Sequence, residues 1–162
     1  MQEANSALTE DAFLGGRLRL LQPVQGYRAG VDPVLLAASV PAKPGQRVLD
    51  LGCGVGTALF CLGCRVPGLS LTGIELQPIY ADCARRNALS NNIEAKVVQA
   101  DLSKLPPEIR QMRYHHVLAN PPYFLRENGT PASDASREVA LGEQTSLAVS
   151  YTHLRAHETL LD

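Results

Sequence analysis

The sequence predicts an α/β protein in which a parallel sheet carries helices on both faces. Short apolar runs of strand character alternate with longer runs of helical periodicity between residues 47 and 119, and a glycine-rich turn at residues 52–56 joins the first such strand to its helix. Alternating strands and helices favour crossover connections and therefore parallel pairing. The length of 162 residues suits one domain, which we place at residues 16–148 and expect to be Rossmann-like.

The elements before this alternation are less regular. Residues 1–15 are polar and mixed, which predicts a flexible lead-in. Arginine and leucine alternate over residues 17–21, which predicts a short strand between residues 16 and 23, one arm of a hairpin. Asp32 followed by Pro33 is typical of a helix start, with Asp32 as the N-cap and the helix running to residue 40.

Four strands and two helices are predicted in the alternating region. The strands are expected at residues 47–51, 69–75, 95–99 and 115–119, and the helices at residues 57–65 and 78–89. The helices end where turn-forming residues interrupt the apolar pattern.

Composition excludes little by itself. The formal net charge is −1, so the overall charge does not indicate a nucleic-acid partner. No run approaches the roughly 20 apolar residues of a membrane-spanning helix, and no signal-peptide pattern is present, which makes a cytoplasmic protein the default expectation. The pairs Cys61/Cys64 and His153/His157 each have the spacing of only half a metal site, so we expect no metal.

The glycine turn indicates a ligand that approaches the backbone closely. Asp50 ends the strand before it, and Gly52, Gly54 and Gly56 follow at alternate positions. Thr57 stands where a dinucleotide fingerprint has its third glycine, which disfavours an NAD site.

Two further acids follow predicted strands. Glu75 ends the second strand and could accept hydrogen bonds from both hydroxyls of a ribose, or be a solvated turn acid. Asp101 lies just beyond the third strand and could accept from an adenine amine while Leu102 packs on the ring, or it could be a helix cap.

Together these residues resemble the cofactor site of class I S-adenosylmethionine-dependent methyltransferases, over about residues 15–145. The resemblance implies S-adenosyl-L-methionine as cofactor. The residues that it implies as cofactor contacts are Asp50, Gly52, Gly54, Gly56, Glu75, Asp101, Leu102 and Asn120.

The tetrad Asn120-Pro121-Pro122-Tyr123 is similar to the signature of family members that methylate planar nitrogens. The lone pair of an adenine N6 is delocalised into the ring, so the amine must be rehybridised before it attacks a methyl group. The Asn120 side-chain oxygen and the Pro121 carbonyl would accept its two hydrogens. Pro122 would help to hold that carbonyl in place, and Tyr123 would stack on the base.

The segment at residues 22–38 narrows the resemblance to the bacterial tRNA-valine adenine-N6 methyltransferases. In that family the segment closes over the methionine end of the cofactor, which implies contacts from Tyr27, Arg28 and Asp32. Arg28 could instead meet an RNA phosphate. We therefore expect an N6-adenine methyltransferase acting on RNA, in particular tRNA. Methylation of DNA adenine or protein glutamine, and an inactive nucleoside-binding fragment, remain as alternatives.

The region after the tetrad departs from the family. Arg126 and Arg137 could contact phosphates or belong to a surface loop. The family fold has seven strands, and only four are accounted for here. Residues 149–162 resemble no family segment, so we expect a truncated chain that lacks the last three strands and carries an unrelated tail.

Overall fold

The computed structural model of this protein describes residues 7–121. The strands in this range are β1 (Leu8–Phe13), β2 (Leu18–Pro23), β3 (Arg47–Leu51), β4 (Ser70–Glu75), β5 (Ala95–Gln99) and β6 (His116–Ala119). The helices are α1 (Asp32–Ser39), α2 (Thr57–Arg65), α3 (Pro78–Ser90) and α4 (Pro107–Gln111), with single 3-10 turns at Leu14–Gly16 and Leu102–Lys104. None of these helices is long and apolar enough to cross a membrane.

The main sheet has four parallel strands in the order β5-β4-β3-β6. Helices α2 and α3 pack on one face, and α4 with the Leu102–Lys104 turn covers the other. The predicted α/β class is confirmed, and the four predicted strands match within one residue at each end. Helix α4 was not predicted, because it is one turn long and buries a single large apolar side chain, Ile109.

The strand order reverses at β3. From β3 the chain passes to β4 and β5 on one side of the sheet and later returns to β6 on the other side. Ligands of open α/β sheets bind outside the carboxyl ends of the strands at such a switch point. The fold therefore opens a crevice where β3, β4 and β6 end.

Strand register fixes which side chains share the crevice. Asp50 pairs with Gly73 and Leu118, and Leu51 pairs with Ile74 and Ala119. Because side chains alternate along a strand, Asp50 and Glu75 lie on the same face of the sheet, the one that α2 and α3 cover.

The prediction of a flexible lead-in is wrong for residues 8–13, which form β1 and pair antiparallel with β2. The predicted hairpin arm at β2 is confirmed. Strand β1 lacks a clean apolar alternation, so its sequence alone gives no strand signal. It is held by its partner strand and by Asp11, whose carboxylate accepts from Gln22 and Arg28. The Glu10–Arg19 ion pair of 3.1 Å is exposed and adds little.

The predicted N-cap role of Asp32 is also wrong. Val31 is the capping residue, and its carbonyl accepts from the backbone N–H groups of Val34 and Leu35. Asp32 is the first residue of α1 and Pro33 the second, and no side chain caps the helix.

The predictions for Pro122, Tyr123, Arg126 and Arg137, and for the tail at residues 149–162, lie outside the described residues.

Two asparagines of α3 attach the hairpin to the main domain. Asn87 is fully buried, and its Oδ1 accepts from the Leu21 backbone N–H at 2.7 Å. Its Nδ2 donates to the carbonyls of Leu21 and Val55, both at 3.0 Å. One helical turn later, Asn91 makes the equivalent pair of bonds with the backbone of Arg19, at 3.0 and 2.7 Å. The two side chains thus form hydrogen bonds with backbone groups at the outer edge of β2, as a neighbouring strand would.

We predict that Asn87→Ala lowers the free energy of unfolding by about 3 kcal/mol, because it leaves the buried carbonyl of Val55 and the partly buried N–H and carbonyl of Leu21 without these partners. Asn91→Ala is the matched control: it removes the same kind of bonds at a more exposed position, and we expect a loss of about 1 kcal/mol. Urea unfolding of both variants measures the difference. Equal losses would contradict the assigned role of Asn87.

Candidate functional site

A cleft lies at the carboxyl ends of β3, β4 and β6. It encloses about 650 Å³ of empty space, part of it open to solvent. The described residues that line it are Gln22, Tyr27, Ala29, Pro33, Asp50, Gly52, Cys53, Gly54, Val55, Thr57, Ala58, Glu75, Gln77, Tyr80 and Asn120. The sheet and the glycine turn supply one wall, and the hairpin with the loop after it supplies another.

The glycine turn needs its glycines for different reasons. Gly52, Gly54 and Gly56 all have positive φ, at 69°, 57° and 92°. A Cβ on Gly54 would meet nothing within 4 Å, so only its backbone conformation requires glycine. A Cβ on Gly56 would clash with the Phe60 ring. Gly56 does not line the cleft, so its part is to let α2 pack closely.

Glu75 is held rigidly at the base of the cleft and is 5% exposed. Its Oε2 accepts from the backbone N–H of Gly54 at 2.9 Å, and its Oε1 accepts from that of Gln77 at 2.8 Å. A carboxylate has about four acceptor sites, and the backbone N–H of Leu76 also acts on this one, so acceptor capacity remains for a ligand donor. A fixed carboxylate with remaining acceptor capacity is suited to the hydroxyl groups of a ligand.

Asp50 lies beside Glu75 and is 2% exposed. The pKa of Asp50 is raised to about 8, mainly by burial and to a smaller extent by the negative charge of Glu75. Burial also raises the pKa of Glu75, although its backbone hydrogen bonds oppose this. At neutral pH Asp50 is therefore mostly protonated, and a cationic ligand nearby would favour its ionised form.

Asn120 follows β6 directly and reaches the same cleft from the opposite side. Its Nδ2 donates to the Tyr27 hydroxyl at 3.5 Å, which leaves Oδ1 as an acceptor. The pKa of Tyr27 is raised, mainly by burial and to a smaller extent by the charge of Asp32, so its phenol stays neutral. The Tyr80 hydroxyl donates to the Tyr27 carbonyl at 3.1 Å and so connects this loop to α3.

The loop after β2 is fixed by Gln22 and Arg28. Gln22 is 2% exposed; its Oε1 accepts from the Ala29 N–H at 2.9 Å and its Nε2 donates to Asp11 at 3.0 Å. Arg28 forms a 2.6 Å ion pair with Asp11 and donates to the Pro23 carbonyl. The predicted ligand or phosphate contact of Arg28 finds no support, because its guanidinium is engaged within the fold and lies off the cleft lining.

Besides Arg28 and Gly56, three more predicted contacts, Asp32, Asp101 and Leu102, lie off the cleft lining. Asp101 caps the turn after β5: its Oδ1 accepts from Ser103 Oγ at 2.7 Å and from Ser103 N at 2.8 Å, and these bonds lower the pKa of Asp101. Leu102 is buried in the core below the sheet. Asp32 acts on Tyr27 only through its charge. A cofactor contact by any of the three stays a prediction.

Four polar residues of the cleft were missed from the sequence: Gln22, Thr57, Gln77 and Tyr80. Thr57 and Gln77 each lie within six residues of the end of a strand that borders the cleft, which was an available signal. The positions of Gln22 and Tyr80 depend on long-range packing. Within residues 7–121 no cluster of three or more His, Cys, Asp or Glu side chains could hold a metal ion.

The sequence was compared with protein families and curated proteins, and the matches are methyltransferases. The family model of the methyltransferase small domain matches residues 29–141. Among curated relatives, the tRNA1(Val) (adenine(37)-N6)-methyltransferase of Porphyromonas gingivalis is 34% identical over 93% of this chain and 61% of its own length. That of Yersinia enterocolitica is 32% identical over 83% of this chain and 50% of its own length.

This chain thus spans about half to three fifths of the length of these relatives. Among solved structures, the Pyrococcus abyssi tRNA (uracil-54, C5)-methyltransferase, in complex with S-adenosyl-L-homocysteine, is similar in fold. The TM-score is 0.55 at 21% identity, over 71% of this chain and 28% of that one. With a family model that matches more than half of its residues, the chain belongs to the methyltransferase small domain family.

Proposed function

We propose that this chain binds S-adenosyl-L-methionine in the cleft and methylates the N6 amine of an adenine in tRNA. The observation that carries the proposal is the presence of Glu75 and Asn120 in the lining of one cleft. A site for a nucleoside and a site for an amine would then lie side by side. The names of the curated relatives support the choice of tRNA adenine as substrate.

The residues at the base of the cleft fit the cofactor. The remaining acceptor capacity of the Glu75 carboxylate would take the ribose hydroxyls. Asp50, buried next to Glu75, would lie near the cationic part of the ligand. Bound there, S-adenosyl-L-methionine would supply a methyl group activated by its sulfonium charge.

Asn120 and Pro121 would act on the substrate amine. The Asn120 Oδ1 and the Pro121 carbonyl are both acceptors, and proline has no N–H to compete. By accepting the two N6 hydrogens they would hold the nitrogen near tetrahedral geometry with its lone pair toward the cofactor. The proposed stacking of Tyr123 on the base, aided by Pro122, remains a prediction.

The partner we propose is tRNA, reached through local contacts, since the net charge of −1 provides no general attraction to phosphates. Both tRNA and the cofactor are cytoplasmic, and we place the protein there.

The direct test is transfer of labelled methyl groups to tRNA, to duplex DNA and to a glutamine-containing protein. We expect label in tRNA alone, recovered as N6-methyladenosine. Label only in DNA or protein would overturn the substrate assignment.

We predict that Asn120→Ala lowers methyl transfer at least about 100-fold, because the amine loses one of its two acceptors in the transition state. Binding of S-adenosylhomocysteine should stay within about threefold. Asn120→Asp keeps a side-chain acceptor and should retain more activity than the alanine variant. If Asn120→Ala turns over like the unaltered protein, Asn120 has no part in activating the amine.

We predict that the affinity for S-adenosylmethionine rises as the pH increases from 6 to 8. The pKa of Asp50 is about 8 in the free protein. A bound cation lowers it, so binding in this pH range releases a proton and is favoured by higher pH. Asp50→Asn should remove most of the rise, leaving the smaller contribution of Glu75. Calorimetric titrations at several pH values measure both slopes, and a flat profile for the unaltered protein would contradict the prediction.

A further inference from the structure

The side-chain amide of Asn120 has two ends of nearly equal shape and opposite chemistry. Its Oδ1 accepts hydrogen bonds and its Nδ2 donates them, so packing alone does not select one orientation of the amide. Only the orientation with Oδ1 toward the substrate can accept from an amine, because the reversed one would set donor against donor. Activation of an amine by Asn120 therefore requires a partner that holds Nδ2.

That partner is the hydroxyl of Tyr27, which accepts from Asn120 Nδ2 at 3.5 Å. The distance is long for a hydrogen bond, as is common for catalytic contacts before the substrate binds. Burial raises the pKa of Tyr27, and the negative charge of Asp32 adds to this. The same charge attracts the phenol proton, which leaves the lone pairs of the oxygen for a donor such as Asn120 Nδ2.

Tyr27 is itself held in place by the fold. Its carbonyl accepts from the Tyr80 hydroxyl at 3.1 Å, which joins it to α3. The next residue, Arg28, forms a 2.6 Å ion pair with Asp11 of β1. Tyr27 is thus anchored to α3 on one side and to the hairpin on the other, so its hydroxyl is a fixed reference point for the amide of Asn120.

We propose that Tyr27 is a positioning residue, whose hydroxyl holds Asn120 Nδ2 and so keeps Oδ1 directed at the substrate amine. This rests on the proposed function, because it concerns the same amine and the same asparagine. The role requires no contact of Tyr27 with cofactor or substrate, and it differs in this from the cofactor contact expected from the sequence. The hairpin and its loop thereby contribute to the transfer step through the orientation of one amide.

The test uses the difference in symmetry between an amide and a carboxylate. Asn120→Asp introduces two equivalent oxygens, which accept in either orientation and leave no N–H for Tyr27 to hold. Tyr27→Phe is therefore made with Asn120 present and in the Asn120→Asp background, and methyl transfer to tRNA is measured at steady state. Calorimetric titration with S-adenosylhomocysteine gives the cofactor affinity of each protein. Tyr114→Phe is the matched control, since it removes a buried hydroxyl on the other face of the sheet.

We expect Tyr27→Phe to lower kcat about tenfold with Asn120 present and by less than about twofold in the Asn120→Asp background. The KM for tRNA and the affinity for S-adenosylhomocysteine should not change, and Tyr114→Phe should leave all three quantities unaltered. Full activity of Tyr27→Phe, or equal losses in the two backgrounds, would overturn the positioning role and leave the proposed function standing. A loss carried by cofactor affinity would also overturn it, in favour of a direct cofactor contact. Absence of methyl transfer to tRNA by the unaltered protein would overturn both.

Discussion

The cleft is shaped by the buried side-chain amide of Asn87, which joins three parts of the chain. It donates to the carbonyl of Val55 in the glycine turn and pairs with both backbone groups of Leu21 in the hairpin. The hairpin and the glycine turn are separate walls of the cleft, and α3 is the element that both contact. The Asn87 side chain is fully buried, its bond to Val55 is buried and its two bonds to Leu21 are part-buried, so water competes little for them.

The chemistry of the cleft follows from the way that parallel strands end together. Register places Asp50 and Glu75 on one face, and the neighbouring β6 brings Asn120 to the same edge. The two acids are close enough that one raises the pKa of the other. The base of the cleft is thus suited to a cationic nucleoside ligand, and its opening carries the amide that would receive an amine.

The sequence predicted what depends on local pattern. The four parallel strands, the glycine turn, Glu75 and Asn120 were found, because a strand's carboxyl end is visible from periodicity and turn residues. Strand β1 was missed, since it depends on pairing with β2 and on the contacts of Asp11 with Gln22 and Arg28. The position of Asn87 in the cleft's architecture has no local signal either. Its partners lie 66 and 32 residues away along the chain.

In our proposal the cleft holds the nucleoside of S-adenosylmethionine with its sulfur facing Asn120. A crystal structure of the protein with S-adenosylhomocysteine tests it most directly. We expect the ribose hydroxyls within hydrogen-bond distance of the Glu75 carboxylate, and the sulfur on the side of the cleft that Asn120 lines. A ligand bound elsewhere on the protein, or in the cleft with its ribose away from Glu75, would contradict it.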